Sequence, residues 1–128
     1  MIQILPQMEH RKAIEAMLRT DALILIINSS SPYGTLTSKI FEYLRLARPI
    51  LAMVPRNKEA AELLMECGVE TICPMESVGS IKQCLIKLVD DRGNAVQRST
   101  ALEAYERGKQ VAELMQRLQK MVELRGFE

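Results

Sequence analysis

The chain has 128 residues, a formal net charge of +1 and 48% hydrophobic residues, which suits one domain with a substantial core. The small, interspersed charge argues against a nucleic-acid-binding protein, and no apolar run approaches the roughly 20 residues of a membrane span. The N-terminus lacks the basic start and long apolar centre of a signal peptide. The three cysteines, odd in number and without paired spacing, suggest reduced thiols, so we expect a cytoplasmic protein.

The N-terminal part contains two apolar runs with a helix-like stretch between them. The first run, "IQIL", stops at Pro6, and "MEHRKAIEAMLRT" follows with apolar residues at helical spacing. The second run, "DALILII", has the length and continuity of a strand that is buried on both faces.

The middle of the chain predicts a loop, a helix and a second strand. The loop is "NSSSPYG", and the helix is expected at about Leu36–Ala47, with its apolar residues on one broad side. The strand is "RPILAMVP", in which Pro49 marks the start and Pro55 the end.

A further helix, strand and helix follow. The helix "NKEAAELLMECG" has Asn57 as its expected N-cap and Gly68 as its C-terminal stop, and "VETICP" is the next strand. The second helix is "SVGSIKQCLIKLVDD". Its expected inner face contains Ile81, Cys84, Leu85 and Leu88.

The last part of the chain predicts a long helix from about Ser99 to Leu124, interrupted by Gly108. An apolar stripe follows it, made of Val111, Leu114, Leu118, Met121 and Leu124. The helix is expected either to lie across the domain or to form a short coiled-coil seam. We favour the first interpretation because so few heptads are present.

This alternation of strands and helices predicts an α/β fold with a parallel sheet flanked by helices, in one domain over residues 1–128. Ligands of such folds bind at the carboxyl ends of the strands. The "NSSSPYG" loop and the start of the next helix lie at such an end, directly after "DALILII".

The residues around this helix start suit a phosphate. A helix N-terminus offers unpaired N–H groups and a positive dipole end. Gly34 permits close backbone approach, Lys39 adds a cation, and hydroxyl groups come from Thr35, Thr37 and Ser38.

Glu42, one turn after the helix start, can accept hydrogen bonds from the adjacent hydroxyls of a ribose. The helix start therefore predicts a site for a nucleotide diphosphate. The alternative is that the hydroxyl residues are ordinary helix-start residues and that Lys39 and Glu42 form a solvated i, i+3 pair.

The cysteines are expected to be reduced and buried, because Cys67, Cys73 and Cys84 are odd in number and have no paired spacing. The single His10 lies far from all three in sequence and is expected to be solvated, so no metal site is predicted.

The segments "TDALILIINSSSPYG" and "TLTSKIFEYLRLARPILAMVP" together resemble the nucleotide-sugar domain of GT-B glycosyltransferases, particularly the retaining bacterial group often called family 4. The residues that carry the likeness are Asp21, Ser38, Lys39, Glu42, Tyr43, Arg48, Pro49 and Ile50. The segments before and after them are similar to the neighbouring elements of that domain, so the likeness covers most of the chain.

The resemblance implies roles for individual residues. Glu42 would bind the ribose, and the backbone amides of Thr35, Leu36 and Thr37 would face the diphosphate. Gly34 stands where the family often has a second glutamate near the donor sugar. Lys39 stands where many relatives have proline, but other relatives share the Ser-Lys pair, and there Lys39 would stabilise the diphosphate.

The resemblance also implies that this is a partial donor-binding domain of a glycosyltransferase, without the acceptor domain and therefore not active alone. Its donor substrate would be a nucleotide-diphospho-sugar, with no tightly bound cofactor. Two other functions stay open: a non-catalytic α/β interaction module with a vestigial nucleotide site, and a fragment similar to nucleotide-sugar epimerases.

In the sheet order of the resembled family, 3-2-1-4-5-6, "IQIL" would be the third strand and "DALILII" the fourth, with two absent strands between them. The chain must then bring these edges together, expose an apolar edge or borrow strands from another copy. We therefore expect a homo-oligomer or a separate acceptor-domain chain as a partner.

Overall fold

A computed structural model describes residues 1–28, 36–56, 59–91 and 107–125, and it confirms the predicted α/β fold with a long C-terminal helix. These ranges contain five helices and three strands. In chain order they are α1 (His10–Leu18), β1 (Leu23–Ile26), α2 (Ser38–Leu46), β2 (Ile50–Met53), α3 (Glu59–Glu66), β3 (Ile72–Cys73), α4 (Val78–Asp90) and α5 (Arg107–Arg125).

The three strands form one parallel sheet in the order β1-β2-β3, with Leu23 beside Ile50 and Ala52 beside Ile72. Each pair of neighbouring strands is connected through a helix, as parallel pairing requires. The arrangement is Rossmann-like, and the carboxyl ends of all three strands lie at one edge of the sheet.

The core lies between the sheet and the apolar faces of α2 and α3. These helices bury residues at helical spacing: Ile40 and Leu44 in α2, and Ala60, Ala61, Leu63 and Leu64 in α3. The buried cluster that they form with the strands also includes Leu25, Ile50 and Val54. This packing fixes the start of α2 at the carboxyl edge of the sheet.

Two helix ends have the left-handed backbone that terminates a helix. Gly68 has φ +84°, as expected for the predicted stop after α3. Ala47 has φ 52° after α2, although it is not a glycine. It lies directly before the Arg48–Pro49 pair that leads into β2. The expected N-cap of α3, Asn57, lies outside the described residues.

The N-terminal run is not a strand. Residues 1–9 contain no helix or strand, and the side chains of Ile2 and Ile4 are 94% and 91% exposed. The expected strand is wrong because no neighbouring strand in the described residues offers the run a partner for its backbone.

β1 is buried on one face only, so the prediction that both of its faces are buried is wrong. Leu23 and Leu25 are buried, whereas Ile24 and Ile26 are 54% and 59% exposed. The continuous apolar run in the sequence therefore hides an alternating burial pattern. Within the described residues, α4 packs against β2 and β3 on this face of the sheet, but no element covers the two isoleucines of β1.

The two C-terminal helices also differ from their predictions. In α4, Ile81 and Leu88 are half-buried, Cys84 is half-buried rather than buried as expected, and Leu85 is 46% exposed. In α5, every residue from 108 to 124 is exposed, so the expected packing of this helix across the domain is wrong for the described structure. Gly108 lies inside the helix and does not interrupt it.

Candidate functional site

The candidate site is built around the start of α2. Thr37 is the N-cap, with the extended backbone typical of that position (φ −87°, ψ 152°), but its side chain makes no capping hydrogen bond. Its Oγ1 atom is buried and has no hydrogen-bond partner within the described part of the chain. A buried hydroxyl without a partner is costly, so this atom is suited to a ligand that reaches the helix start.

The other predicted residues of the helix start differ in exposure. Ser38 and Lys39 are exposed, whereas Leu36 is half-buried and packs against the core cluster. Leu36 therefore anchors the segment that leads into α2, and Lys39 is accessible to an anion. Gly34 and Thr35 lie outside the described residues.

Glu42 is half-buried and faces α1 rather than the interior. Its Oε1 atom lies 3.6 Å from Nε2 of His10, and the two side chains are 33% and 72% exposed. This separation is too long for a good hydrogen bond, so the carboxylate keeps its capacity to accept bonds from another group.

The contact places the starts of α1 and α2 side by side. His10 is the first residue of α1, and Glu42 lies in the second turn of α2. At the other end of α1, the Arg48 guanidinium donates a hydrogen bond to the backbone carbonyl oxygen of Leu18. The exposure of His10 confirms the prediction that it is solvated, whereas its proximity to Glu42 is not indicated by any pattern in the sequence.

His10 and Glu42 do not amount to a metal centre. In the described residues there is no group of three or more histidine, cysteine, aspartate or glutamate side chains that could hold a metal ion. Over the same residues, no helix combines the length and the hydropathy that crossing a bilayer requires.

A concavity lies beside the edge strand β3, away from the start of α2. It has a volume of about 430 Å³, within the range of small-molecule pockets. Its lining is mostly apolar and includes Ala61, Met65, Val69 and Ile72, with Arg56 and Glu70 as its charged members. Both charges have other partners, because Arg56 donates to the Ile72 carbonyl oxygen at 3.3 Å and Glu70 pairs with Lys87.

The Glu70–Lys87 pair lies on the protein surface. A hydrogen bond from Lys87 lowers the pKa of the Glu70 carboxyl, and the same bond raises the pKa of Lys87. Both groups are solvated, so this pair orients side chains at the rim of the concavity but adds little to stability.

All three cysteines are free thiols, and Cys67 and Cys73 are buried as predicted. Burial raises the pKa of the Cys67 thiol. Burial, together with the neighbouring Cys84 thiol, raises the pKa of Cys73 to about 11. Both buried thiols are therefore protonated at neutral pH, which makes them inert hydrophobic groups rather than nucleophiles.

The high pKa of Cys73 predicts a loss of stability in alkali. Above the ordinary pKa of 9.0 the unfolded chain loses this proton, whereas the folded chain retains it until about pH 11. The free energy of unfolding is therefore expected to fall across this interval. Urea unfolding at several pH values should show a steeper fall for the wild type than for Cys73→Val. Parallel curves up to pH 11 would contradict the assignment.

The chain matches no protein-family model, no curated protein and no solved structure.

Proposed function

We propose that the start of α2 binds the diphosphate and ribose of a nucleotide-diphospho-sugar, and that the chain is the donor-binding portion of a glycosyltransferase. The observation that carries this proposal is the buried, unpartnered hydroxyl of Thr37 at the N-cap of α2, with the Glu42 carboxylate one turn further on. Both groups lie on the helix that follows β1, at the carboxyl edge of a parallel sheet.

The diphosphate has suitable partners at this helix start. The first turn of a helix leaves backbone N–H groups without intrahelical partners, and the helix dipole favours an anion there. The Thr37 side chain does not occupy these N–H groups, since it makes no capping bond. Thr37 can also donate its own hydroxyl hydrogen to a phosphate oxygen.

Lys39 is the cation of the proposed site. It lies in the first turn of α2 and its side chain is exposed, so it can follow the diphosphate as negative charge develops on it during sugar transfer. The lysine ammonium group is carried on a flexible side chain, so it can adjust its position as the charge on the diphosphate changes. The acceptor, whose hydroxyl receives the sugar, would bind to another domain or chain.

Glu42 is the proposed ribose ligand. A carboxylate accepts hydrogen bonds through two oxygens, which suits two adjacent hydroxyls. Its half-buried position strengthens such bonds, because water competes less for the carboxylate there. His10 lies beside Oε1 and limits the directions from which the ribose can approach.

Calorimetric titration with uridine, guanosine and adenosine diphosphates tests the proposal. For the diphosphate that binds, Glu42→Gln should weaken binding by about 10- to 100-fold, because a hydrogen bond to a charged group is worth roughly 1.5–3 kcal/mol. Lys39→Ala should weaken binding of the diphosphate but leave binding of the corresponding nucleoside unchanged.

The matched control is Glu62→Gln, which neutralises an exposed glutamate of α3 and should leave the affinity unchanged. Absence of binding for all three diphosphates at millimolar concentration would reject the proposed site. Equal affinities for the wild type and Glu42→Gln would reject the role of Glu42 alone.

A non-catalytic interaction module is the second candidate function. It is favoured by α5, whose large apolar side chains at positions 111–122 are between 48% and 63% exposed. An exposed apolar surface of this kind is typical of a protein-binding site. Absence of nucleotide binding, together with specific association through α5, would support this candidate over the first.

A further inference from the structure

The two edge strands of the sheet differ in how well they are protected against pairing with a further strand. At β3, the Arg56 side chain donates to the carbonyl oxygen of Ile72. This carbonyl faces away from β2, because the carbonyls of Thr71 and Cys73 on either side of it accept hydrogen bonds from β2. A charged side chain across an edge strand blocks the addition of another strand.

In the part of the chain that the structure describes, no side chain protects β1 in a comparable way. Leu23 donates to Pro49 O at 2.8 Å and Ile27 donates to Met53 O at 3.0 Å, so these alternate residues face β2. The N–H and C=O groups of Ile24 and Ile26 therefore face away from β2. β1 itself contains no charged residue, proline or glycine that would discourage pairing.

The sequence of β1 is complementary to itself in the antiparallel direction. When Leu25 lies opposite Leu25 of a second copy, Ile24 of each copy lies opposite Ile26 of the other. The outward N–H and C=O groups of these two residues then pair in the hydrogen-bonded positions of an antiparallel ladder. Their side chains come together on one face as β-branched cross-strand pairs, a favourable combination.

A contact through β1 alone would be too small. The strand has four residues, whereas a stable interface buries about 800 Å² of each partner. The paired strands would also leave four isoleucine side chains of the two copies on an uncovered face. A second apolar surface must therefore contribute.

The α5 stripe, defined here as Val111, Leu114, Met115, Leu118, Met121 and Val122, has the required properties. Its residues repeat at heptad positions a, d and e, a broader face than a two-helix coiled coil uses, and one typical of a helix that packs on a larger surface. The stripe is about 16 Å long and contains no charge. Residues 92–106 separate α4 from α5, and a segment of that length can span up to about 50 Å.

We infer that two copies of this chain join through their β1 edges into one six-stranded sheet, and that the α5 stripes of the pair cover the isoleucine face at the junction. Neither surface is used by the proposed nucleotide site, which lies at the start of α2. Nucleotide binding and self-association can therefore fail independently.

Sedimentation equilibrium, from micromolar to millimolar protein, measures the dimer. Ile26→Lys places a charge on the face that the dimer buries, and Leu118→Lys does the same in the α5 stripe. Each should weaken association by about 100-fold or more, because an unpaired charge is costly to bury. The matched control is Val78→Lys at a 79% exposed position of α4, which should leave association unchanged.

Amide hydrogen exchange provides a readout at the junction itself. The Ile24 and Ile26 amides should exchange at least tenfold more slowly at concentrations where the dimer dominates than in dilute protein. Ile24→Pro removes the outward N–H of an edge residue, which an edge strand tolerates, and it should abolish the dimer while the far-UV circular dichroism is unchanged.

Three results would overturn the inference: a wild-type monomer at millimolar concentration, a dimer that persists in Ile26→Lys, or a dimer in which the Ile24 and Ile26 amides remain unprotected. Loss of association in Leu118→Lys without loss in Ile26→Lys would assign the contact to α5 alone and would likewise reject the β1 junction.

Discussion

Replacing Leu64 with alanine is expected to lower the free energy of unfolding by about 2–5 kcal/mol. Leu64 is on the buried face of α3, its side chain is 0% exposed, and it belongs to the central core cluster. The substitution removes apolar contacts and leaves a cavity that the sheet on one side and the helix backbone on the other can fill only in part. Urea unfolding monitored by circular dichroism measures the change.

Met65→Ala is the matched control for Leu64→Ala, because Met65 is the next residue of the same helix and is 54% exposed. It should cost roughly 1 kcal/mol or less, since most surface substitutions have small effects. Equal losses for the two variants would show that α3 does not pack on the sheet through the face described here.

The elements between β1 and α4 could be predicted from the sequence because local signals agree with the tertiary structure there. Gly68 ends α3, as its position after an apolar, helix-forming stretch predicts. Pro49 and Pro55 bracket β2, which is the central strand and is buried at three of its four residues. In the middle of a parallel sheet, an apolar run between two prolines is expected to form a buried strand whose ends are set by the prolines.

Predictions at the margins of the sheet were wrong for a common reason. An apolar run in the sequence predicts burial, but burial needs a neighbouring element to supply the partner surface. Ile24 and Ile26 continue the run of β1, yet no described element covers them. The same holds for Ile2 and Ile4 and for the stripe on α5, whose pattern indicates an apolar face without indicating what covers it.

Part of the candidate site was accessible from sequence and part was not. The order of strand, loop and helix places Thr37 and Glu42 at the carboxyl edge of any parallel sheet, so their placement is a topological prediction. The proximity of His10 to Glu42 depends on how α1 packs beside α2, and no local pattern contains that information. The unpartnered state of the Thr37 hydroxyl is likewise a property of the packed structure.

The second large effect on stability is expected for Thr71→Val, which should lower the free energy of unfolding by about 1–3 kcal/mol. Thr71 is 9% exposed, and its hydroxyl donates a hydrogen bond to the backbone carbonyl oxygen of Ile50. Valine has nearly the same shape, so the change removes this bond while retaining most of the packing. The Ile50 carbonyl then loses a partner in a buried position, where the loss is costly.

The position of Thr71 gives this single bond its importance. β3 has only two residues, and its ladder with β2 includes the bonds from Ala52 N to Thr71 O at 2.9 Å and from Val54 N to Cys73 O at 3.0 Å. The Thr71 hydroxyl extends this short ladder by one step towards the start of β2. Its loss should therefore weaken mainly the pairing of β3 with β2. Thr71→Val should increase the hydrogen-exchange rate of the Val54 amide, which donates to Cys73 O, more than that of the Leu23 amide, which donates to Pro49 O on the β1 side of the sheet.

Two further variants separate the hydrogen bond from other effects of the substitution. Thr71→Ser retains the hydroxyl and should be less destabilising than Thr71→Val. Thr20→Val removes a hydroxyl that also donates to a backbone carbonyl oxygen, that of Met17, but at an exposed position. Water can hydrogen-bond to the Met17 carbonyl oxygen in place of the hydroxyl, so Thr20→Val should lower the free energy of unfolding by well below about 1 kcal/mol. If Thr71→Val is no more destabilising than Thr20→Val, burial does not strengthen the Thr71 bond, and β3 must be held to β2 by its backbone ladder and apolar contacts alone.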